Sequence, residues 1–296
     1  MSKIQEALRR IQVRTGEDHA DRTEQTSDSS IGEIAEEVDS TGVSLQSPDG
    51  GLINIDLEAL REAGYLPPKG QARHVAEQYR ILKRPLLNNA FGGNEVLGSC
   101  ANLVMISSAL PGDGKTFNCI NLALSMAYEK DVSVLLVDAD VARPHASRLL
   151  GVAERPGLID LLRDKNVSVT DLTMRTNISG LSVLPAGLPD EQSTELLASK
   201  RMKRLVTELS LSNKNRIVIF DSPPVLATSE ARVLAAHVGQ IAMIVCAGKT
   251  PKQAVLDALA NFDDTKAINL VLNQVSDGFS MIGYGNYHYG YGHGSD

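Results

Sequence analysis

The chain has 296 residues, 43% hydrophobic and 22% charged, enough for one large α/β domain or two small ones with a sizeable core. Its net charge of −7 sits at the front: residues 1–65 hold 6 Lys+Arg against 14 Asp+Glu, and residues 66–296 hold 23 against 22. The absence of a basic stripe argues against nucleic acid as a partner, and no apolar run reaches the 18 residues of a spanning helix or builds a signal-peptide core.

"MSKIQEALRRIQ" places Ile4, Leu8 and Ile11 on one helical face, so residues 1–14 read as a short amphipathic helix. Docking to a membrane surface or partner and simple fraying at a terminus both fit that pattern. Residues 15–50 carry many acids, Ser, Thr and Gly with Arg22 the one Lys or Arg. They expose too little apolar surface to offset ordering, so a disordered acidic tether is predicted. "INIDLEALREAGYLPP" predicts a short helical segment within a linker at 51–69, stopped by Gly64 and the Pro67-Pro68 pair.

From residue 70, "QARHVAEQYRILKRPLLNNAF" is helical in period, with Val75, Tyr79 and Leu82 or Lys83 along one side and Pro85 as a perturbation. Apolar runs then alternate with helical segments: "LVMIS" (103–107), "VSVLLVDAD" (132–140), "LSVLPAG" (181–187), "RIVIFDSP" (216–223), "QIAMIVCAG" (240–248) and "INLVLNQ" (268–274). Runs without polar alternation suit a mostly parallel sheet buried on both faces, an α/β domain assigned to 70–278. Cys100, Cys119 and Cys246 match no zinc or redox spacing and read as packed free thiols of a reducing compartment.

"LVMISSALPGDGKTFNCINLALSMA" is a strand, a Gly-rich loop ending Gly-Lys-Thr, and a helix, the order of a P-loop. Backbone N–H groups of Gly112, Asp113, Gly114 and Lys115 can surround phosphate oxygens, the Lys115 ammonium adds a point charge, and the Thr116 hydroxyl can ligate Mg²⁺. The predicted nucleotide contacts run from Pro111 to Phe117. Ala109 stands where the motif has its first glycine, and the strand and helix on the correct sides carry the assignment.

"VLLVDADVARP" puts Asp138 and Asp140 at the C-terminal end of a strand, where open parallel sheets bind ligands. "RIVIFDSPP" brings Asp221 to the same edge after four apolar residues. Two such strand ends, one lysine and one threonine predict a phosphate and Mg²⁺ site, with Thr116, Asp140 and Asp221 as metal ligands. The last segment, 279–296, concentrates Tyr284, Tyr287, Tyr289 and Tyr291 among glycines with no aliphatic neighbour in between. A flexible tail is predicted, and its composition alone fits a sticky low-complexity end as well as a substrate.

"SSALPGDGKT", "DADVARP", "FDSPP" and the tyrosine cluster, in that order, resemble the bacterial tyrosine autokinases (BY-kinases) of exopolysaccharide systems over roughly residues 70–296. "MSKIQEAL" and "EQYRILKRPLL" look most like the branch associated with PEP-CTERM and exosortase loci, in which the kinase is a separate cytoplasmic chain. The resemblance implies transfer of the ATP γ-phosphoryl group to the tail tyrosines, with Lys115, Asp138, Asp140 and Asp221 as catalytic groups. Asp138 or Asp140 receives the tyrosine proton, and spacing leaves that choice open. Arg143 neutralises phosphate, anchors a subunit contact or is simply exposed. The resemblance also implies a ring of subunits through Glu77, Arg80 and Lys83, and a membrane co-polymerase or chain-length-determinant protein as activator at the inner face of the membrane. The alternative is a Min- or Par-type positioning ATPase, which carries a lysine early in the loop where this chain has Leu110. A non-catalytic nucleotide-binding scaffold is a third reading, which needs Asp138 or Asp221 out of place.

Overall fold

The computed structural model describes residues 51–67, 69–93 and 96–275; the predicted terminal helix, acidic tether and tyrosine tail lie outside them. In chain order the elements are β1 (Leu52–Ile53), α1 (Leu57–Glu62), α2 (Ala72–Phe91), β2 (Leu103–Ser108), α3 (Lys115–Ala127), β3 (Ser133–Asp138) and α4 (His145–Leu149). They continue with α5 (Leu158–Arg163), α6 (Val169–Leu172), β4 (Met174–Thr176), β5 (Leu181–Leu184), α7 (Ser193–Leu197), α8 (Lys200–Leu211) and β6 (Arg216–Asp221). The last are α9 (Ser229–His237), β7 (Gln240–Cys246), α10 (Lys252–Leu259) and β8 (Ala267–Asn273).

The eight strands form one sheet in the order β1-β4-β5-β3-β6-β2-β7-β8, and the six from β5 to β8 are mutually parallel. The side-chain period of two sorts each apolar run onto two faces. Leu103 and Met105 of β2 join Leu135, Val137, Val218 and Phe220 on one face, covered by α5, α8, α9 and α10. Val104 and Ile106 join Val134, Leu136, Ile217 and Ile219 on the other, covered by α1, α2 and α3. This three-layer arrangement is the predicted α/β fold, and all six predicted strands are present.

Two features depart from the sequence reading, and one expected perturbation is absorbed. Residues 51–69 are not a linker outside the domain, because β1 pairs with β4 and Ile53, Ile55, Leu60 and Leu66 are buried in the second core face. β4, which runs antiparallel to β5, is a three-residue strand too short to show a period. Pro85 does not end α2: Tyr79, Lys83 and Leu86 are buried along one side of the helix, which continues past the missing donor.

Candidate active site

The β2–α3 loop needs the conformations that glycine supplies. Gly112 has φ +85° and Gly114 φ +95°, and a Cβ on Gly114 would collide with the Asn273 amide. Gly114 caps α3 without a side chain, so the first N–H groups of this 13-residue helix are left for an anion at its positive end.

Asp113 holds the loop in shape. Its carboxylate, 2% exposed, accepts from the Thr250 hydroxyl (2.7 Å) and the Leu110 N–H (3.3 Å), and its carbonyl accepts from Asn273 Nδ2 (2.8 Å). The predicted nucleotide contact at Asp113 is therefore confined to its backbone, because the side chain is spent inward. Asn118 Nδ2 donates to the Gly114 carbonyl and its Oδ1 accepts from the Tyr79 hydroxyl (2.9 Å each), tying α2 to the loop. Phe117 packs its ring against the second core face, while Pro111 and Gly112 are exposed.

The carboxylates meet because β3 and β6 are neighbours in register: Asp138 pairs with Asp221 across the two strand ends. Asp138, 1% exposed, accepts from both the N–H and the hydroxyl of Ser147 (2.7 Å each) and from Asp140 N–H (3.2 Å). Burial pushes its carboxyl up to about 6 against the pull of Ser147. Asp140 is half-buried and raised by burial, with Lys115 and Arg143 opposing; its Oδ1 accepts from the N–H of the exposed Arg143 (3.2 Å).

Asp221 has the least support. It is 1% exposed, and among the described residues neither carboxylate oxygen has a hydrogen-bond partner of normal geometry. Burial and then Asp138 raise it, and the Thr116 hydroxyl and the Lys115 charge offset only part of that. Asp221, buried beside a second carboxylate and short of donors, lacks positive charge, which is what a hard divalent cation with oxygen ligands supplies. The donor set of Thr116, Asp140 and Asp221 therefore fits Mg²⁺. Lys115, 9% exposed, is the resident cation of the cluster.

The match to known families follows this geometry. Residues 101–251, just over half the chain and including the loop and all three aspartates, match the family described as AAA domain. The chain belongs to that family. Tyrosine-protein kinase wzc of Salmonella typhimurium is 29% identical to this AAA-domain chain over 195 residues, 64% of this chain and 26% of that protein. Tyrosine-protein kinase YwqD of Bacillus subtilis is 35% identical over 155 residues, 52% of this chain and 64% of that protein. The solved kinase domain of Escherichia coli tyrosine kinase ETK superposes with a TM-score of 0.59 at 26% identity, covering 81% of this chain and 94% of the domain. The resemblance to bacterial tyrosine autokinases is borne out, and this AAA-domain chain spans about a quarter of the length of the relatives it matches first.

The structure brings Lys115, Thr116, Asp138, Asp140 and Asp221 of this AAA-domain chain to one sheet edge. On α2, Glu77 and Arg80 are exposed and paired with each other. Lys83 points inward: it is 6% exposed, with Nζ on the Ser125 carbonyl (2.6 Å) and Glu129 (2.7 Å). The four tail tyrosines lie outside the described residues. Sequence reasoning missed Ser147, Thr250, Asn118 and Asn273. Of these only Asn273 carried a signal, as a polar residue ending a strand on the ligand-binding edge.

Proposed function

We propose that the chain is an ATP-dependent protein-tyrosine autokinase that phosphorylates Tyr284, Tyr287, Tyr289 and Tyr291 and thereby regulates exopolysaccharide polymerisation or export. The observation that carries this reading is the meeting of the phosphate loop with three acids at one edge, beside the C-terminal end of the last strand. Asn273 of β8 touches the loop itself, and the eleven residues onward to Tyr284 reach at most about 36–40 Å. That distance suffices for the tail to enter its own site or a neighbour's.

In the proposed reaction the α3 N-terminus and Lys115 hold the ATP phosphates and neutralise charge as the γ-phosphoryl group moves in line to a tyrosine oxygen. Mg²⁺, held by Thr116, Asp140 and Asp221, supplies further neutralisation of phosphate charge when bound. Asp138 takes the tyrosine proton. Its carboxyl is raised toward neutrality, where a base works best, and Ser147 fixes its orientation. Arg143, exposed with its N–H on Asp140, neutralises phosphate or meets a neighbouring subunit in this reading.

Assembly into rings in this reading uses the exposed Glu77, Arg80 and Arg84, since Lys83 is spent on α3. Among the described residues no helix is long and apolar enough to cross a membrane. We place the protein in the cytoplasm, brought to the inner membrane face by a co-polymerase-type partner. The narrower kinship with the PEP-CTERM branch rests on "MSKIQEAL" and "EQYRILKRPLL", and the domain limits at 14, 50 and 278 belong to the same reading. A Min- or Par-type mechanism fits less well, because Leu110 stands at the lysine position.

Full-length protein incubated with Mg-ATP, probed for phosphotyrosine and mapped by mass spectrometry, tests the proposal. Label on the four tail tyrosines is expected. ATP hydrolysis without phosphotyrosine, or label confined to Tyr65, Tyr79 or Tyr128, would overturn it.

A further inference from the structure

The turn after β7 is wired to the phosphate loop. The N–H groups of Lys249 and Thr250 both donate to the Cys246 carbonyl (3.2 and 3.0 Å), and Gly248 takes φ +67°. The Thr250 hydroxyl accepts from Cys246 N–H (3.0 Å) while donating to the Asp113 carboxylate (2.7 Å). The backbone of residue 249 is thereby held beside the loop. Its side chain follows: Lys249 Nζ lies 3.9 Å from the point where a Cβ on Gly112 would stand.

That position adds charge to an anion-binding loop. The loop presents the positive end of α3 and the buried Lys115, while its one carboxylate, Asp113, is turned inward onto Thr250 and Leu110, so an ammonium above Gly112 increases the attraction for an anion there. Lys249 is exposed and shows no ion pair or side-chain hydrogen bond among the described residues that would explain its placement. The loop itself offers no second cation, since Leu110 and Pro111 occupy its early positions.

We propose that Lys249 is a second phosphate-binding residue of the nucleotide site, supplied by the β7–α10 turn, and that it contacts the terminal phosphate of a nucleoside triphosphate. It takes over from a different strand the charge that the loop lacks at Leu110. Thr250 and Asp113 set its position, so the loop and the turn act as one unit. The inference rests on the nucleotide-site reading and is independent of whether tyrosine is the acceptor.

Calorimetric titration of the full chain with Mg-ATP and with Mg-ADP at one fixed salt concentration tests it. The comparison uses wild type, Lys249→Met, Lys249→Arg and Lys252→Met. Lys249→Met should weaken ATP by about tenfold or more, the scale of one charge-assisted contact, with ADP changed less than about threefold. Lys249→Arg should stay within about threefold of wild type for ATP. Lys252→Met, which removes an exposed charge three residues away, should change neither nucleotide. Thermal unfolding of Lys249→Met without nucleotide should match wild type. Any other pattern overturns the assignment: equal losses for ATP and ADP, no loss, or the same loss in Lys252→Met. A wild type that binds ATP but makes no phosphotyrosine overturns the kinase reading and leaves this comparison decisive. A wild type that binds no nucleotide overturns both.

Discussion

Replacing Asp221 by Asn should stabilise the nucleotide-free, metal-free fold at alkaline pH while abolishing phosphoryl transfer. Burial holds the Asp221 carboxyl up to about 8 in the folded chain, against an ordinary carboxylate value of 3.8. Because the folded value is the higher one, the fold binds this proton more tightly than the unfolded chain does. The resulting stability is fully present below the unfolded value and is lost as pH rises toward 8. At about 1.4 kcal/mol per pH unit the loss is on the order of 5 kcal/mol, part of it repulsion from Asp138. An asparagine removes the charge but leaves an amide short of partners, at a cost of about 1–3 kcal/mol. The net gain is about 2–4 kcal/mol at pH 8.5, or a rise of roughly 5–10 °C in Tm for a domain of this size. Most of that gain should vanish at pH 5, where the wild-type carboxyl is protonated in the fold. Calorimetric melting of both proteins in chelator at pH 5 and 8.5 measures the difference. A variant less stable than wild type at pH 8.5, or equally improved at both pH values, would refute the picture of an uncompensated buried charge.

Lys115→Met should eliminate phosphotyrosine and weaken Mg-ATP binding at least tenfold while retaining the wild-type circular dichroism spectrum, since the ammonium serves phosphate and its acids more than the core. Gly114→Ala should cost nucleotide affinity at least as heavily, because φ +95° and the Asn273 amide leave no room for a methyl group; unchanged titration against ATP would contradict this. Tyr79→Phe removes the hydroxyl that satisfies Asn118 and should lower stability by about 1–3 kcal/mol in urea unfolding, with reduced ATP affinity reporting the link from α2 to the loop. Changing Tyr284, Tyr287, Tyr289 and Tyr291 together to Phe should remove nearly all mass-spectrometric phosphotyrosine and leave ATP binding unaltered.

The short-range features of the site are written in the sequence. "SSALPGDGKT" dictates strand, turn and helix start through glycines that alone tolerate the left-handed backbone, and the acids after "VLLV" and "RIVIF" fall at strand ends because an apolar run stops there. The apolar runs themselves specify a sheet covered on both faces. Tertiary structure decided which strand ends meet. Asp138 and Asp221 face each other only because β3 and β6 are adjacent in register, and Asp113 finds Thr250 and Asn273 across 137 and 160 residues. The resemblance implied a subunit contact for Lys83, and the fold turns it inward, where the Ser125 carbonyl and Glu129 receive its ammonium. Local patterns fix backbone conformation within a few residues, since φ, ψ and side-chain period are local quantities. The partners of a charged group depend on strand order, which is settled by the burial of the whole sheet at once.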